Sequence, residues 1–221
     1  MSRFLCVVGA VACCLCVLPV SGRAQMQGAP DQAIGSDQLA GQFREATYEA
    51  LRLAARPGER HRALAPMIGE WNTTFTSWGN PGAEPQVSNG TALFEWEMGG
   101  RFVLERTEGT VRGEPYRSMA FLGFDNISSR YVWTRIDNLS SAIQSFEGEM
   151  RESDEAGREL MWRGRYQDPV TGEQVETRAV LQFLPAGGMV YTLFATGAHD
   201  AGKVLEIAYW REGADTELDA R

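Results

Sequence analysis

The segment RFVLERTEGTVRGEPYRSMAFLGFD, residues 101–125, decides the architecture. It holds two alternating runs, Arg101–Val111 and Pro115–Phe124, separated by the turn pair Arg112-Gly113. A period of two sends successive side chains to opposite faces of a pleated strand, and a residue followed by glycine between two such runs makes a tight hairpin. The same grammar continues in both directions from Met67 to Arg211, broken at short intervals by Gly, Pro, Asn and Asp. Further strands are expected at Glu70–Trp78, Ser88–Met98, Arg130–Asp137, Ala142–Met150, Glu159–Gln167, Gln174–Leu184, Met189–Thr196 and Lys203–Arg211. No helical crossover interrupts this series, so it forms an antiparallel meander. A meander of about ten strands has two exposed edges unless it closes on itself. The expected fold is therefore all-β, a closed antiparallel up-and-down barrel over residues 67–211.

Upstream the period changes. Leu39, Phe43, Ala46, Ala50, Leu53 and Ala54 recur at three- and four-residue spacing, which predicts an amphipathic helix begun by Ser36 or Asp37 and stopped by Pro57-Gly58. A short helical turn over Glu59–Ala65 carries His61 and Leu64 ahead of Pro66, so residues 36–66 form a helical segment before the barrel. His61 is expected to seat that turn on the barrel opening. Residues 25–35 read as a flexible leader, and the acidic residues 212–221 as a disordered tail.

Residues 1–24 differ from all of this. Arg3 precedes an uncharged apolar run from Phe4 to Val20, followed by Gly22 and Ala24. Those are the parts of a secretory signal peptide cut after Ala24, with a periplasmic or secreted destination. All four cysteines of the 221-residue chain lie inside it, at Cys6, Cys13, Cys14 and Cys16. Cleavage would leave 197 residues without cysteine, excluding disulfides, thiolate metal sites and cysteine nucleophiles. It would also remove Arg3 and Arg23 from 21 basic residues, leaving 19 against 29 acidic ones, a net charge of −10. Such a charge repels phosphate backbones and argues against nucleic-acid binding. No membrane span is expected once the signal is gone.

The first expected strand opens Gly69-Glu70-Trp71 and the last ends Tyr209-Trp210-Arg211. In the lipocalin superfamily a Gly-x-Trp and an arginine from the closing strand meet at the barrel floor, and Trp71 and Arg211 resemble that pair. A wider likeness runs through His61-Arg62-Ala63-Leu64, Met98-Gly99-Gly100-Arg101-Phe102, Gly123-Phe124-Asp125-Asn126, Tyr131-Val132-Trp133 and Asp137-Asn138. Over roughly Glu59 to Arg211 the chain is similar to the bacterial lipocalin-like family known as domain of unknown function 1579. That resemblance implies a calycin-like barrel and export. It implies no activity, and Phe124 stands where the family usually has tyrosine.

Alternate residues of each strand face the lumen of a small barrel. In Arg130–Asp137 the inward set is either Tyr131, Trp133, Arg135 and Asp137, or Val132, Thr134 and Ile136. Keeping charge on the outside favours Val132 and Ile136 inside, whereas a wide barrel would admit Tyr131 and Trp133 as a wall with Arg135 near the mouth. In Glu159–Gln167 the aromatic set Leu160, Trp162, Gly164 and Tyr166 is the better inward candidate. Trp71, Thr73 and Phe75 are set against Asn72, Thr74 and Trp78. Six Trp, six Tyr and ten Phe suit a cavity for a small hydrophobic or amphipathic molecule. The expected site therefore has a wall of Trp78, Tyr131, Trp133, Trp162 and Tyr166, with Arg101 at a rim as the polar anchor for an anion. Ordinary barrel packing accounts for the same aromatics, and a salt bridge to Glu97, Asp125 or Asp137 for Arg101.

Catalytic signatures fail one by one. Gly197–Lys203 has the spacing of a phosphate-binding loop, but Val204 stands where a Ser or Thr must hold the metal. No Gly-x-Ser-x-Gly occurs, and two histidines without cysteine cannot build a His-rich metal site. No catalytic residue, metal or cofactor is assigned. Two other readings remain: a haem-binding barrel resembling the nitrobindins with His199 as axial ligand, and an assembly protein docking through the helix of Asp37–Arg56. Homo-oligomerisation stays open.

Overall fold

The computed structural model describes residues 36–78, 84–153, 157–167, 171–185, 187–196 and 201–211. The expected signal peptide, the expected leader, the acidic tail and His199 lie outside the described residues. The chain divides into two units, Met1–Phe43 and Arg44–Arg221. The first contributes the opening turns of a helix, α1 (Ser36–Ala54), and the second contains its remainder and the barrel.

The helical segment continues through α2 (Glu59–Arg62) and a 3-10 turn, Ala65–Met67. Ten strands follow: β1 (Gly69–Ser77), β2 (Gln86–Glu97), β3 (Phe102–Val111), β4 (Glu114–Asp125), β5 (Arg130–Asp137), β6 (Gln144–Ser153), β7 (Gly157–Gln167), β8 (Gln174–Phe183), β9 (Met189–Thr196) and β10 (Ala201–Trp210). Every expected strand forms, with ends within three residues of the sequence reading. Each pairs antiparallel with its neighbours, and β1 also pairs with β10, so that Thr73 lies opposite Gly90 on one side and Tyr209 on the other. Closure satisfies the backbone donors and acceptors that an open meander would leave at its edges.

The Arg112-Gly113 turn closes the hairpin between β3 and β4. Arg112 and Gly113 have φ of 56° and 82°, two consecutive left-handed residues, whose twist matches that of the flanking strands. Glycine meets that demand at no steric cost, and Arg112 accepts a mild strain.

Strand direction defines the two barrel ends. At the end where β1 starts, α2 and the 3-10 turn bury His61, Leu64 and Met67. The His61 ring stands edge-on to Phe124 at 6.0 Å, and its Nδ1 accepts the Gly58 amide at 3.0 Å. Asn126, in the β4–β5 turn, donates from Nδ2 to the carbonyls of Ala54 at 2.7 Å and Arg56 at 2.9 Å, which ties down the last turn of α1. Within the second unit, Tyr48, Leu51 and Leu53 of α1 remain more than half exposed.

The core is the barrel lumen. Trp71 and Phe75 of β1, Phe94 of β2, Leu122 of β4, Leu160 and Trp162 of β7, Leu181 of β8 and Ile207 of β10 all point inward and are buried. Each such side chain contributes about 1.5–3 kcal/mol by leaving water.

Candidate functional site

Alternation turns Tyr131, Trp133 and Arg135 of β5 into the lumen, and sends Val132, Thr134 and Ile136 to the outer face. Of the two inward sets weighed for this strand, it is the one with Tyr131 and Trp133 that faces the lumen, not the one with Val132 and Ile136. Ile136 is 48% exposed, opposite Met119 of β4 on the barrel's outer face, while Arg135 is 6% exposed. Charge alone misjudges the face because the lumen supplies what the guanidinium needs. Asp137 Oδ2 lies 3.6 Å from Arg135 Nη2, and the guanidinium carbon sits 5.5 Å from the centre of the Trp133 ring and 5.8 Å from that of Tyr116. Burial opposes the cation, but the nearby Tyr116, Tyr191, Glu105 and Asp137 outweigh it, and the pKa of Arg135 is pushed up. The lumen therefore holds a permanent positive charge.

Around Arg135 the strands assemble a polar kernel in an aromatic shell. The Trp133 ring stacks on Phe146 at 4.8 Å, lies 5.3 Å from Trp162 and meets Tyr191 edge-on at 5.2 Å. From β3 comes Glu105, whose Oε1 accepts the Thr107 hydroxyl at 2.8 Å and the Tyr209 hydroxyl at 3.3 Å. Burial pushes the Glu105 carboxyl up, against opposing contributions from Thr107, Arg135 and Tyr209. Burial likewise pushes the phenols of Tyr116, Tyr191 and Tyr209 up, so all three stay protonated near neutrality.

Among the described residues, six buried polar atoms find no protein hydrogen-bond partner: Arg135 Nε, Trp133 Nε1, Trp162 Nε1, Tyr116 Oη, Tyr191 Oη and Thr73 Oγ1. The Tyr191 hydroxyl lies near enough to Arg135 to interact with it, but not in a geometry that completes a hydrogen bond. Leaving a buried donor unpaired costs about 1–3 kcal/mol, so such a cluster calls for an explanation. Glu105, Trp133, Arg135, Trp162, Tyr191 and Tyr209 line a cavity of about 10 Å³, with Met67 of the helical segment also on its wall. That is about the room of one water molecule. A larger depression of about 370 Å³ lies at the helix end beside Pro66, Phe183 and Met189, and none of the six atoms belongs to its lining.

Of the residues expected at the site, Trp133 and Trp162 meet at the central cavity, and the others lie away from it. Tyr131 is one inward position nearer the helix end, where its hydroxyl donates to the Arg60 carbonyl at 3.0 Å. Trp78 follows β1 at the opposite end, half-buried, with the Lys203 ammonium 5.8 Å from its ring centre. Tyr166 shares the inward side of β7 with Trp162 but is half-buried towards that same far end. Arg101 lies in the β2–β3 turn at the helix end, and its Nη1 donates to the Met98 carbonyl at 2.8 Å, so none of the acids considered for it is its partner. The polar centre is Arg135, with Glu105, Tyr116, Tyr191 and Tyr209. The usable signal was positional: Glu105 shares the inward parity of Val103 and Thr107, as Arg135 shares that of Tyr131 and Trp133.

Trp71 and Arg211 also come together. The Arg211 guanidinium lies 4.0 Å above the Trp71 ring centre and donates to the Ile68 carbonyl at 2.6 Å, while Trp71 Nε1 donates to the Met67 carbonyl at 2.7 Å.

His199, the axial ligand of the haem reading, lies outside the described residues. Of the described groups, His61 is committed to Gly58 and Phe124, and among the described residues no cluster of three or more His, Cys, Asp or Glu could hold a metal ion. No described helix is long and apolar enough to cross a membrane.

Fold and site together define a closed, ten-stranded antiparallel barrel with a polar, arginine-centred lumen. The chain belongs to the family described as protein of unknown function (DUF1579), whose model matches residues 56–211. Its fold is similar to that of Rv2717c from M. tuberculosis, with a TM-score of 0.54 and 14% identity over 71% of this chain and 99% of that one. No curated protein matches the sequence.

Proposed function

We propose that the protein binds a small amphipathic molecule in the barrel lumen. The polar end of the ligand lodges in the central cavity, and its apolar part lies against Trp133, Trp162 and Tyr191. One observation carries this reading: four of the six buried polar atoms without protein partners, on Trp133, Arg135, Trp162 and Tyr191, belong to residues that line one cavity in an otherwise well-packed core. A barrel selected for packing alone would fill these positions with apolar side chains, because unpaired polar atoms lower stability. The cavity admits only one water-sized group, so the rest of a ligand displaces side chains that now fill the lumen. Binding then proceeds with a rearrangement of the aromatic shell.

Native mass spectrometry of protein purified from its own host tests the reading, together with tryptophan fluorescence against a panel of small amphipathic compounds. A co-purifying mass or a saturable fluorescence change supports it. A ligand-free mass and an unresponsive spectrum across the panel overturn it. The function proposed includes export, for which residues 1–24 are the support. Amino-terminal sequencing of the protein from its host should begin at Gln25, and an intact Met1 would remove this part of the reading.

A further inference from the structure

The donor chemistry of the lumen narrows the ligand further, and this step rests on the lumen-binding reading above. Three of the unpartnered atoms, Arg135 Nε, Trp133 Nε1 and Trp162 Nε1, are N–H groups that donate and cannot accept. All three residues line the same cavity, and Tyr191, protonated and also without a completed hydrogen bond, lines it as well. Donors gathered around a fixed cation call for an acceptor with negative charge. The protein does not supply it. Glu105 spends Oε1 on Thr107 and Tyr209 and makes no ion pair with Arg135 within 4.0 Å, and Asp137 reaches the guanidinium only through Nη2, at 3.6 Å. Neither acid satisfies the Nε edge of the guanidinium or the two indoles.

We propose that this cavity is a carboxylate subsite. An oxygen of the ligand's carboxylate takes the water-sized space and accepts hydrogen bonds from Arg135 Nε and the indole N–H groups of Trp133 and Trp162. Among the described residues the lumen holds one buried guanidinium, and this and the narrow space suit a planar monoanion better than a phosphate, which is tetrahedral and carries more charge. The aromatic shell and the side chains of Leu122 and Leu181 on the cavity wall take the ligand's apolar part. The ligand class is therefore a small aromatic or aliphatic monocarboxylic acid.

The test uses acid and amide pairs of nearly equal shape: acetate, benzoate and 1-naphthoate, each titrated calorimetrically into the full chain at neutral pH alongside its primary amide. The acids should bind about tenfold or more tightly than the amides, the expected loss when a charge-assisted hydrogen bond is removed. Arg135→Gln should abolish that preference. Should this variant fail to fold, Trp133→Phe keeps the ring packing while deleting one donor, and should weaken the acids several-fold and the amides, whose carbonyl accepts only a neutral hydrogen bond, by less. Equal affinity for acid and amide in the unmodified chain overturns the carboxylate subsite while leaving lumen binding intact. Failure of every acid and amide to bind overturns the subsite, and the broader reading is then judged by its own amphipathic panel.

Discussion

The guanidinium of Arg211, one residue past the last strand, lies 4.0 Å above the indole of Trp71 in the first, and its Nη2 also bonds the Ile68 carbonyl. The two residues join β1 to β10 where the ladder between those strands ends. A cation over an indole at an exposed site is worth about 0.5–1 kcal/mol, and the hydrogen bond adds about as much. Arg211→Ala should therefore lower stability by about 1–2 kcal/mol in urea unfolding, and Arg211→Lys should recover only part of the loss. An unchanged midpoint would show that strand pairing closes the barrel without help from this contact.

Two glycines make room for Phe75. A methyl group at Gly109 would run into Phe75 Cε2 and Cζ, and one at Gly90 would meet the same ring and the Glu108 carbonyl. Gly109→Ala should destabilise the barrel by about 1–3 kcal/mol through overpacking. Shrinking the ring with Phe75→Leu should return part of that loss, so the double variant should be more stable than the sum of the single effects implies. Strict additivity in chemical denaturation would place the strain somewhere else.

Burial holds His61 below its ordinary value of 6.5, helped by Arg101 and opposed by a hydrogen bond with the Phe124 backbone. The unfolded chain thus binds a proton here more readily than the folded one. The stability contributed by the neutral ring is complete above pH 6.5 and is lost as pH falls from there through the folded value. In His61→Phe, the curve of unfolding free energy against pH should lack that decline. If the two curves run parallel below pH 6.5, His61 is not the titrating group.

Glu105 carries the opposite sign. Its carboxyl is raised from 4.5, chiefly by burial, so the folded state binds a proton more readily than the unfolded one. Its contribution is greatest below pH 4.5 and declines as pH rises through the folded value. Glu105→Gln keeps an acceptor for Thr107 and Tyr209 and removes the charge, so its stability relative to the unmodified chain should increase from pH 4 to pH 8. The reverse trend would mean that the ionised carboxylate is stabilised by Arg135 more than burial penalises it.

The particulars of the chain show which features were readable in advance. Ten strands were legible because period-two alternation and turn residues such as Arg112-Gly113 act over a few positions, without reference to the rest of the chain. Closure was legible through Trp71 and Arg211, since the first and last strands of a closed meander must meet. The inward side of β7 was readable because Leu160, Trp162 and Tyr166 stood opposite Arg163 and Arg165. The same reasoning left β5 open between two faces, because one side carries Arg135 and the other Val132 and Ile136. Arg101, beside a conspicuous Gly-Gly, looked like an anchor but spends its donor on its own turn.

By itself, then, the sequence determined the strand count, the hairpin connections and the closure, because each follows from local periodicity or from the requirement that edge strands be paired. Only the tertiary structure decided that Arg135 is the charged centre of the lumen. Its stabilising partners come from β3, β4, β9 and the end of β5, brought within reach by ladders that join residues far apart in the chain. A buried guanidinium is tolerable only when those groups surround it, and nothing in the eight residues of β5 records that they do.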